Sequence, residues 1–429
     1  MSAGLPRLDR ARAHAGTAAP VRILHIGPGA FFRAHQAWYT HHASPEWGIA
    51  AVSGRSSTAV ATLGPQGGCY TLLTRGPERD QAEAVASVSE VIGPADERAA
   101  DLLASPSVSV VTLTVTEAGY QHGAPVLTRL LQGLDRRRLS GAGPLTVIAC
   151  DNLAGNGGVL RSAILTGAPP ELRTWMEESC SFPSTVVDRI TPATTAEDRG
   201  VVAELMGWDD QAVAVTEPAS EWVIEDRFSG PRPPWERAGT RIVQDVAPFE
   251  QRKLRLLNAG HSLLAYRGLA AGHRFVHQAM SDSAIHDGVL DLWRETRRWM
   301  MPAALEGVEG YCATVEARWT NARLPHALAQ IATDGSLKLR QRVVPTIQEA
   351  REGGEEPLAC AGLVGAWVAH VRSYADLRDA QLDRLRDASA GSLEDACRGL
   401  LAVLDPALAG DRWLVEAVEA AAGEALGGR

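Results

Sequence analysis

Lys253, Asn258 and His261 stand in the stretch KLRLLNAGHS, residues 253–262, among the apolar Leu254, Leu257, Ala259 and the following Leu263. An amine, an amide and an imidazole can together move a proton and hold hydroxyl groups. On a regular α-helix, at about 100° per residue, Asn258 falls roughly 140° and His261 roughly 80° round from Lys253. The three then share one broad face, with His261 in the middle. The same spacing also describes a solvated helix face, because spaced polar residues are common on helices.

A second candidate lies near the start. HIGPGAFFRAHQ (25–36) follows the apolar run VRILHIG and opens a helix. Gly27 and Gly29 would let the backbone turn tightly and approach a pyrophosphate at a helix N-terminus. Phe32 stands where the third glycine of G-x-G-x-x-G is expected, so a plain glycine turn is the competing account. The candidate cofactor contacts are Gly27, Gly29, Phe31 and Arg33, with Arg55 after the next strand and Asp151 after the fourth. The second strand ends AVSGRSS, without the acidic residue that grips the ribose of NAD. Arg55 could stack on adenine, meet a 2′-phosphate or be a surface arginine, and NAD against NADP stays open. CDNLAGNG (150–157) puts Asp151, Asn152 and Asn156 at a strand's carboxyl end, where such sheets bind ligands and where Asn and Asp also favour turns. Asp188 and Arg189, in VVDRITP, read by themselves as a structural ion pair.

These candidates need two kinds of support. VRILHIG (21–27), GIAAVSG (48–54), SVSVVTLTVTE (107–117) and PLTVIACDN (144–152) are apolar runs suited to parallel strands buried on both faces, with helical stretches around 95–105 and 124–139. After the Pro- and Gly-rich FSGPRPPWERAGT (228–240) a helical period takes over, at 249–271, 284–305, 358–382 and 392–426, with EGGEEP (352–357) as a loop. The fold class expected is α/β: a Rossmann-type doubly wound N-terminal domain over 21–247 and a mostly α-helical substrate domain over 248–429. Residues 1–20 carry arginines but no apolar run, so a secretory leader is not expected and the segment is read as flexible.

Composition excludes several classes. The 429 residues are 45% hydrophobic and 22% charged with net charge −9 and no basic stripe, which speaks against nucleic acid as partner. The six cysteines form no C-x-x-C pair and the twelve histidines no H-E-x-x-H, so no metal site is read. No apolar run reaches the length of a membrane span, and a cytoplasmic protein is expected, as a monomer or small homo-oligomer. Eleven tryptophans against six tyrosines and six phenylalanines is unusual and assigns no function.

The chain resembles the mannitol dehydrogenase family, the polyol-specific long-chain dehydrogenases. HIGPGAFFRAHQ, TLTVTEAGY, CDNLAGNG, VVDRITPATT, EWVIEDRF, KLRLLNAGHS and RWTNARLPHALAQIATDGSLKLRQR carry the resemblance in family order from about 21 to 342, and K-x-x-x-x-N-x-x-H at 253–261 is its specific signature. The resemblance implies an NAD(P)-dependent oxidoreductase, NAD favoured, joining a sugar alcohol or aldonate to its ketose or keto-uronate form without a metal. It implies Lys253 as general base in oxidation and acid in reduction, Asn258 and Asn152 as donors to the reacting oxygen, and His261 and Asp188 as holders of substrate hydroxyls. Arg318 would reach the substrate's far end, and Glu250 would pass protons between the lysine and solvent. Chemically this fits. A secondary alcohol releases hydride as its hydroxyl proton leaves, and amide donors can replace a metal at the developing oxyanion. A uronate would also need a cation, for which Arg318, His326, Lys338, Arg340 and Arg342 are candidates, and DGSLKLRQR (334–342) leans the reading toward that branch. The departures are Ala118 for a lysine in T-x-T-E-K-G-Y, NAGHS for N-G-S-H-S, Phe32 for a histidine, and a shorter second domain between about 275 and 310. A non-catalytic dinucleotide-binding relative is the alternative, and the intact Lys253, Asn258, His261 and Asn152 set argues against it.

Overall fold

The computed structural model describes residues 4–54, 56–94, 96–115, 117–121 and 123–427, with the backbone alone at 117 and 118. The chain divides into two compact units, Met1–Ala247 and Pro248–Arg429.

The first unit is built on a parallel sheet of β1 (Val21–Ile26), β2 (Gly48–Val52), β3 (Val88–Ile92), β4 (Val110–Leu113), β5 (Leu145–Ala149) and β6 (Cys180–Ser181) in the order β3-β2-β1-β4-β5-β6. This is the 3-2-1-4-5-6 order of dinucleotide-binding domains, whose switch point lies between the first and fourth strands. Every residue of β2, β4 and β5 is buried. Helices cover both faces, which is why these strands read as continuous apolar runs rather than alternating ones. Sequence patterning missed β3 and the hairpin before it, Tyr70–Arg75 with Asp80–Val85, which pairs further with Ala214–Thr216. Asp80–Val85 is mostly half-exposed and polar, so it lacks the apolar signature of the central strands. A third small sheet pairs Glu221–Glu225 with Thr185–Asp188 and Arg241–Val243, setting Asp188 opposite Glu221.

The N-terminal segment differs from its expected flexibility. Leu8 is fully buried, and Leu8 N–H donates to the Asp209 carbonyl at 2.9 Å while Asp209 N–H donates to that of Pro6. Arg10 donates to the Gly67, Ala86 and Val88 carbonyls at 3.2–3.3 Å. Val88 belongs to edge strand β3, whose outer carbonyls need donors from outside the sheet, and Arg10 supplies one.

The second unit is helical. Pro302 opens Pro302–Leu305 where one long helix was expected, leaving Ser283–Arg297 as its first part. Pro406 likewise separates Leu393–Leu404 from Arg412–Gly427, and 358–382 ends its first helix at Ser373. Proline removes a helical donor and disfavours helix in the residue before it. Leu358–Ser373 is buried from Cys360 to Val371 and forms the centre of this core. At Gly365 an added Cβ would lie 2.6 Å from Ala421 Cβ, so the absent side chain lets Arg412–Gly427 approach closely. The tryptophan surplus is mainly core: Trp222 and Trp235 in the first unit, Trp293, Trp319 and Trp367 in the second, are at most 2% exposed.

The helix expected at 249–271 is not regular. Ala247–Arg252 and Ala259–Ala270 are α-helical, but Lys253–Asn258 between them is a π-helical turn. Its i→i+5 bonding brings residue 258 back round toward the side of residue 253, so the angle deduced for a regular helix does not hold. Such turns are rare and concentrate at functional sites.

Candidate active site

In the first unit the backbone makes the site. Gly27 sits at φ +98°, and a Cβ there would lie 2.4 Å from the Thr114 carbonyl oxygen. Its N–H donates to the Val52 carbonyl at 3.1 Å, and Gly29 N–H to that of Gly27 at 2.7 Å, so the turn is tied to the end of β2. Phe32 is fully buried and stacks on His25 with centroids 3.7 Å apart, so the position expected to hold a third glycine is a core position. His25 meets Thr112 Oγ1 at 2.7 Å, and burial pushes its pKa down to about 3, leaving it neutral.

Beside this turn opens a cavity of about 760 Å³ whose wall includes Gly27, Gly29, Arg33, Ser53, Arg129 and Arg199. No carboxylate stands on that wall among the described residues. Arg33 donates to the Pro28 carbonyl at 3.1 Å, its buried Nε has no partner, and burial lowers its pKa. It makes no ion pair among the described residues, and the Asp210 carboxylate offsets part of the effect of burial. Arg129 donates to the Ser53 carbonyl at 3.1 Å, at the end of β2 where a ribose-binding acid was sought. Arg55 lies outside the described residues, as does the side chain at 118.

Phe31 and Asp151 are not on this wall. Phe31 stacks on His35 at 5.0 Å, because the helix turns it toward the aromatic core rather than the cavity. Asp151 accepts the Tyr120 hydroxyl and, at 3.1 Å, the Leu153 N–H, so it builds the turn after β5. Asn156 is fully buried and ties that turn to the strand Thr185–Asp188, donating to the Asp151 and Thr185 carbonyls and accepting from Thr185 N–H at 2.9 Å. This leaves Asn152 exposed on the turn itself. Asp188 ends its strand half-buried, while Arg189 is buried, donates to the Ala34 and Glu217 carbonyls and lies over Trp38 at 4.6 Å.

In the second unit side chains make the site. Lys253 and His261 are each 8% exposed, and Asn258 is half-buried between them. Glu250 is half-buried in the α-helical turn before Lys253. Side chains hold the π turn: Trp293 Nε1 donates to the Leu256 carbonyl at 3.0 Å, and Arg342 Nη1 to that of Asn258 at 3.1 Å. Arg255 is paired with Glu349 and donates to the Trp299 carbonyl at 2.9 Å. Carbonyls that irregular helices leave exposed thus find partners.

Around His261 the structure collects Arg318, His326, Lys338 and Arg342. Burial, then these four neighbours, hold the His261 pKa well below its ordinary value. His326 stands edge-on with centroids 5.4 Å away, its pKa pushed down to about 4 by burial and by Arg318 and Lys338. Lys338 is pushed down to about 8 by burial and Arg342, and Arg342 to about 10 by burial. Lys338 Nζ donates to the Ile331 carbonyl at 3.1 Å, and Arg342 to Ser262 Oγ at 2.9 Å. Arg340 is exposed. Sequence reasoning did not find Trp293 or Trp319, since tryptophans at those positions read as core. It also did not assign Arg342 to the π turn, which no local pattern announces.

Among the described residues no group of three or more His, Cys, Asp or Glu could hold a metal, and no helix is long and apolar enough to cross a membrane.

The mannitol dehydrogenase Rossmann domain model matches residues 21–237 and the mannitol dehydrogenase C-terminal domain model residues 245–419. The fold and these matches define an oxidoreductase acting on a CH–OH group. The chain belongs to the mannitol dehydrogenase family. It is 34% identical to the D-mannonate oxidoreductase of Escherichia coli strain K12, over 82% of this chain and 80% of that protein. It is also 34% identical to the D-arabinitol 4-dehydrogenase of Ralstonia nicotianae, over 94% and 96%. Among solved structures it resembles Pseudomonas fluorescens mannitol 2-dehydrogenase, in ternary complex with NAD and D-mannitol, with TM-score 0.83 and 29% identity over 98% of this chain and 94% of that one.

Proposed function

We propose that the chain interconverts an aldonate or sugar alcohol with its 2-keto form, of the D-mannonate/D-fructuronate or D-mannitol/D-fructose type, using Lys253 as general acid and base. The observation that carries this reading is the π turn, which puts a buried lysine and an amide on one turn, one helical turn before a neutral imidazole ringed by cations. A nicotinamide dinucleotide supplies or accepts the hydride when bound. The residues that would hold it are Gly27, Gly29 and Arg33, whose buried Nε lacks a partner. The Pseudomonas relative is described with NAD, and the carboxylate-free wall near Ser53 keeps NADP as the other form to be assayed.

In oxidation Lys253 takes the hydroxyl proton, and Asn258 and Asn152 donate to the oxygen as alkoxide character develops. Glu250 relays the proton to solvent. His261 and Asp188 hold neighbouring hydroxyls, and Arg318 meets the far end of the substrate. The gathering of Arg318, Lys338 and Arg342 beside the neutral imidazole of His326 favours a substrate that ends in a carboxylate, because an anion relieves the mutual repulsion of the three cations. The test is reduction of fructuronate, tagaturonate and fructose and oxidation of mannitol by purified protein, each with both cofactor forms. The keto-uronates should show the highest kcat/KM. A preference for fructose would exclude the carboxylate reading, and no turnover with any of them would exclude the function.

A further inference from the structure

The two nitrogens of His261 are not equivalent. Trp319 Nε1 lies 2.7 Å from His261 Nε2, with ring centroids 5.1 Å apart at 54°. An indole N–H can only donate. Nε2 therefore carries a lone pair, and a neutral ring must bear its proton on Nδ1.

We propose that Trp319 is a positioning residue that fixes His261 as the Nδ1–H tautomer, so that the imidazole can offer substrate only a hydrogen-bond donor. This rests on the reading above that His261 meets substrate. Trp319 is 2% exposed and stacks on Trp293 at 5.6 Å and 28°, while Trp293 is itself anchored to the Leu256 carbonyl of the π turn. The indole that sets the tautomer is thus held by the same element that carries Lys253 and Asn258.

Gly260 makes the arrangement possible. A Cβ at 260 would lie 2.4 Å from Trp319 Cη2 and 3.3 Å from two further ring carbons. The NAGHS variant of the signature, with glycine where the family pattern has serine, leaves the space into which the indole closes over His261. The chemical consequence is a division of labour. With Nε2 occupied and Nδ1 protonated, the ring has no basic nitrogen to compete with Lys253 for the substrate proton, and it recognises an oxygen lone pair. The burial and the surrounding cations keep the ring neutral, as this arrangement requires.

The tautomer can be read without substrate or turnover, from two-bond ¹H–¹⁵N correlations of histidine-labelled full-length protein at pH 7, with His261 assigned by loss of its signals in His261→Asn. The wild type should show Nδ1–H alone; an Nε2–H pattern would overturn the proposal whatever any variant does. Trp319→Phe keeps the ring stack and removes the donor. It should give a mixture of tautomers and raise KM for the sugar about five- to tenfold, while kcat changes by under about twofold. An unchanged tautomer in Trp319→Phe would also overturn it. A shifted tautomer with unchanged KM would uphold the positioning and instead remove His261 from the substrate site. Gly260→Ser should lower Tm by driving Cβ into the indole, and Gly260→Ser with Trp319→Phe should recover Tm but not the single tautomer. Recovery of both would reduce Trp319 to packing.

Discussion

The two turns, Gly27–Arg33 in the first unit and Lys253–His261 in the second, reach their geometry by opposite means. The first depends on atoms that are missing: at Gly27 a Cβ would strike the Thr114 carbonyl. Its surface toward the cavity is largely main chain, set by where β1 ends and a helix begins. The second depends on side chains sent from far along the chain, Trp293, Trp319 and Arg342, which hold a π turn and its imidazole. Backbone-made sites tolerate change in neighbouring side chains but not at the glycines. Side-chain-made sites can be dismantled from residues that touch neither substrate nor cofactor.

Substitutions at each turn can sharpen or break that contrast. The largest effect is expected for Lys253→Ala, which should reduce turnover on the order of a thousandfold, within the range of general acid–base catalysis, and leave cofactor affinity unchanged. Near wild-type turnover with the same pH profile would assign the proton transfer elsewhere. Next come the paired glycines. Gly29 sits at φ −72° with no atom closer than 3.9 Å to an added Cβ, so Gly29→Val should fold yet weaken cofactor binding by about a hundredfold, or ~3 kcal/mol, in a fluorescence titration. Gly27→Ala should instead lose about 1–3 kcal/mol of stability in denaturant unfolding, from its positive φ and the carbonyl contact. If both variants merely lost stability, the turn would be structural.

A smaller effect should appear in pH dependence. Lys338, lowered to about 8, is cationic below that pH and loses its charge above it, while a substrate carboxylate stays ionised throughout. KM for a keto-uronate should therefore rise as pH increases through 8, and Lys338→Met should raise KM several-fold at pH 7 and flatten the profile. A wild-type KM constant from pH 7 to 9 would detach Lys338 from the substrate. The smallest expected effect is none: dialysis against EDTA should leave activity unchanged. Inactivation reversed by zinc would replace lysine-and-amide chemistry with metal chemistry.

Much of the first unit was legible locally. Buried parallel strands write themselves as apolar runs, and G-x-G after the first of them marks the turn. What was not legible there had weak local signals: the half-exposed hairpin at 70–85, and the anchoring of Leu8 and Arg10 against an edge strand. The contacts of Phe31 with His35 and of Asp151 with Tyr120 were not legible either, because a motif shows which residues lie near a turn and not which way each side chain faces. In the second unit, the polar positions 253, 258 and 261 stood out against an apolar helix, but the regular angle between the first two was wrong.

The sequence by itself determined the alternation of elements, the glycine turn, the family signature and the candidate acid–base residues, because these depend on short-range sterics, periodicity and residue type. Only the tertiary structure decided that residues 253–258 form a π turn, that the Arg33 Nε is buried without a hydrogen-bond partner, and that Trp319 occupies one nitrogen of His261. Each of these depends on which distant group satisfies a buried donor, acceptor or charge, and residues 58 positions apart in the chain, as His261 and Trp319 are, meet only when the helical core packs.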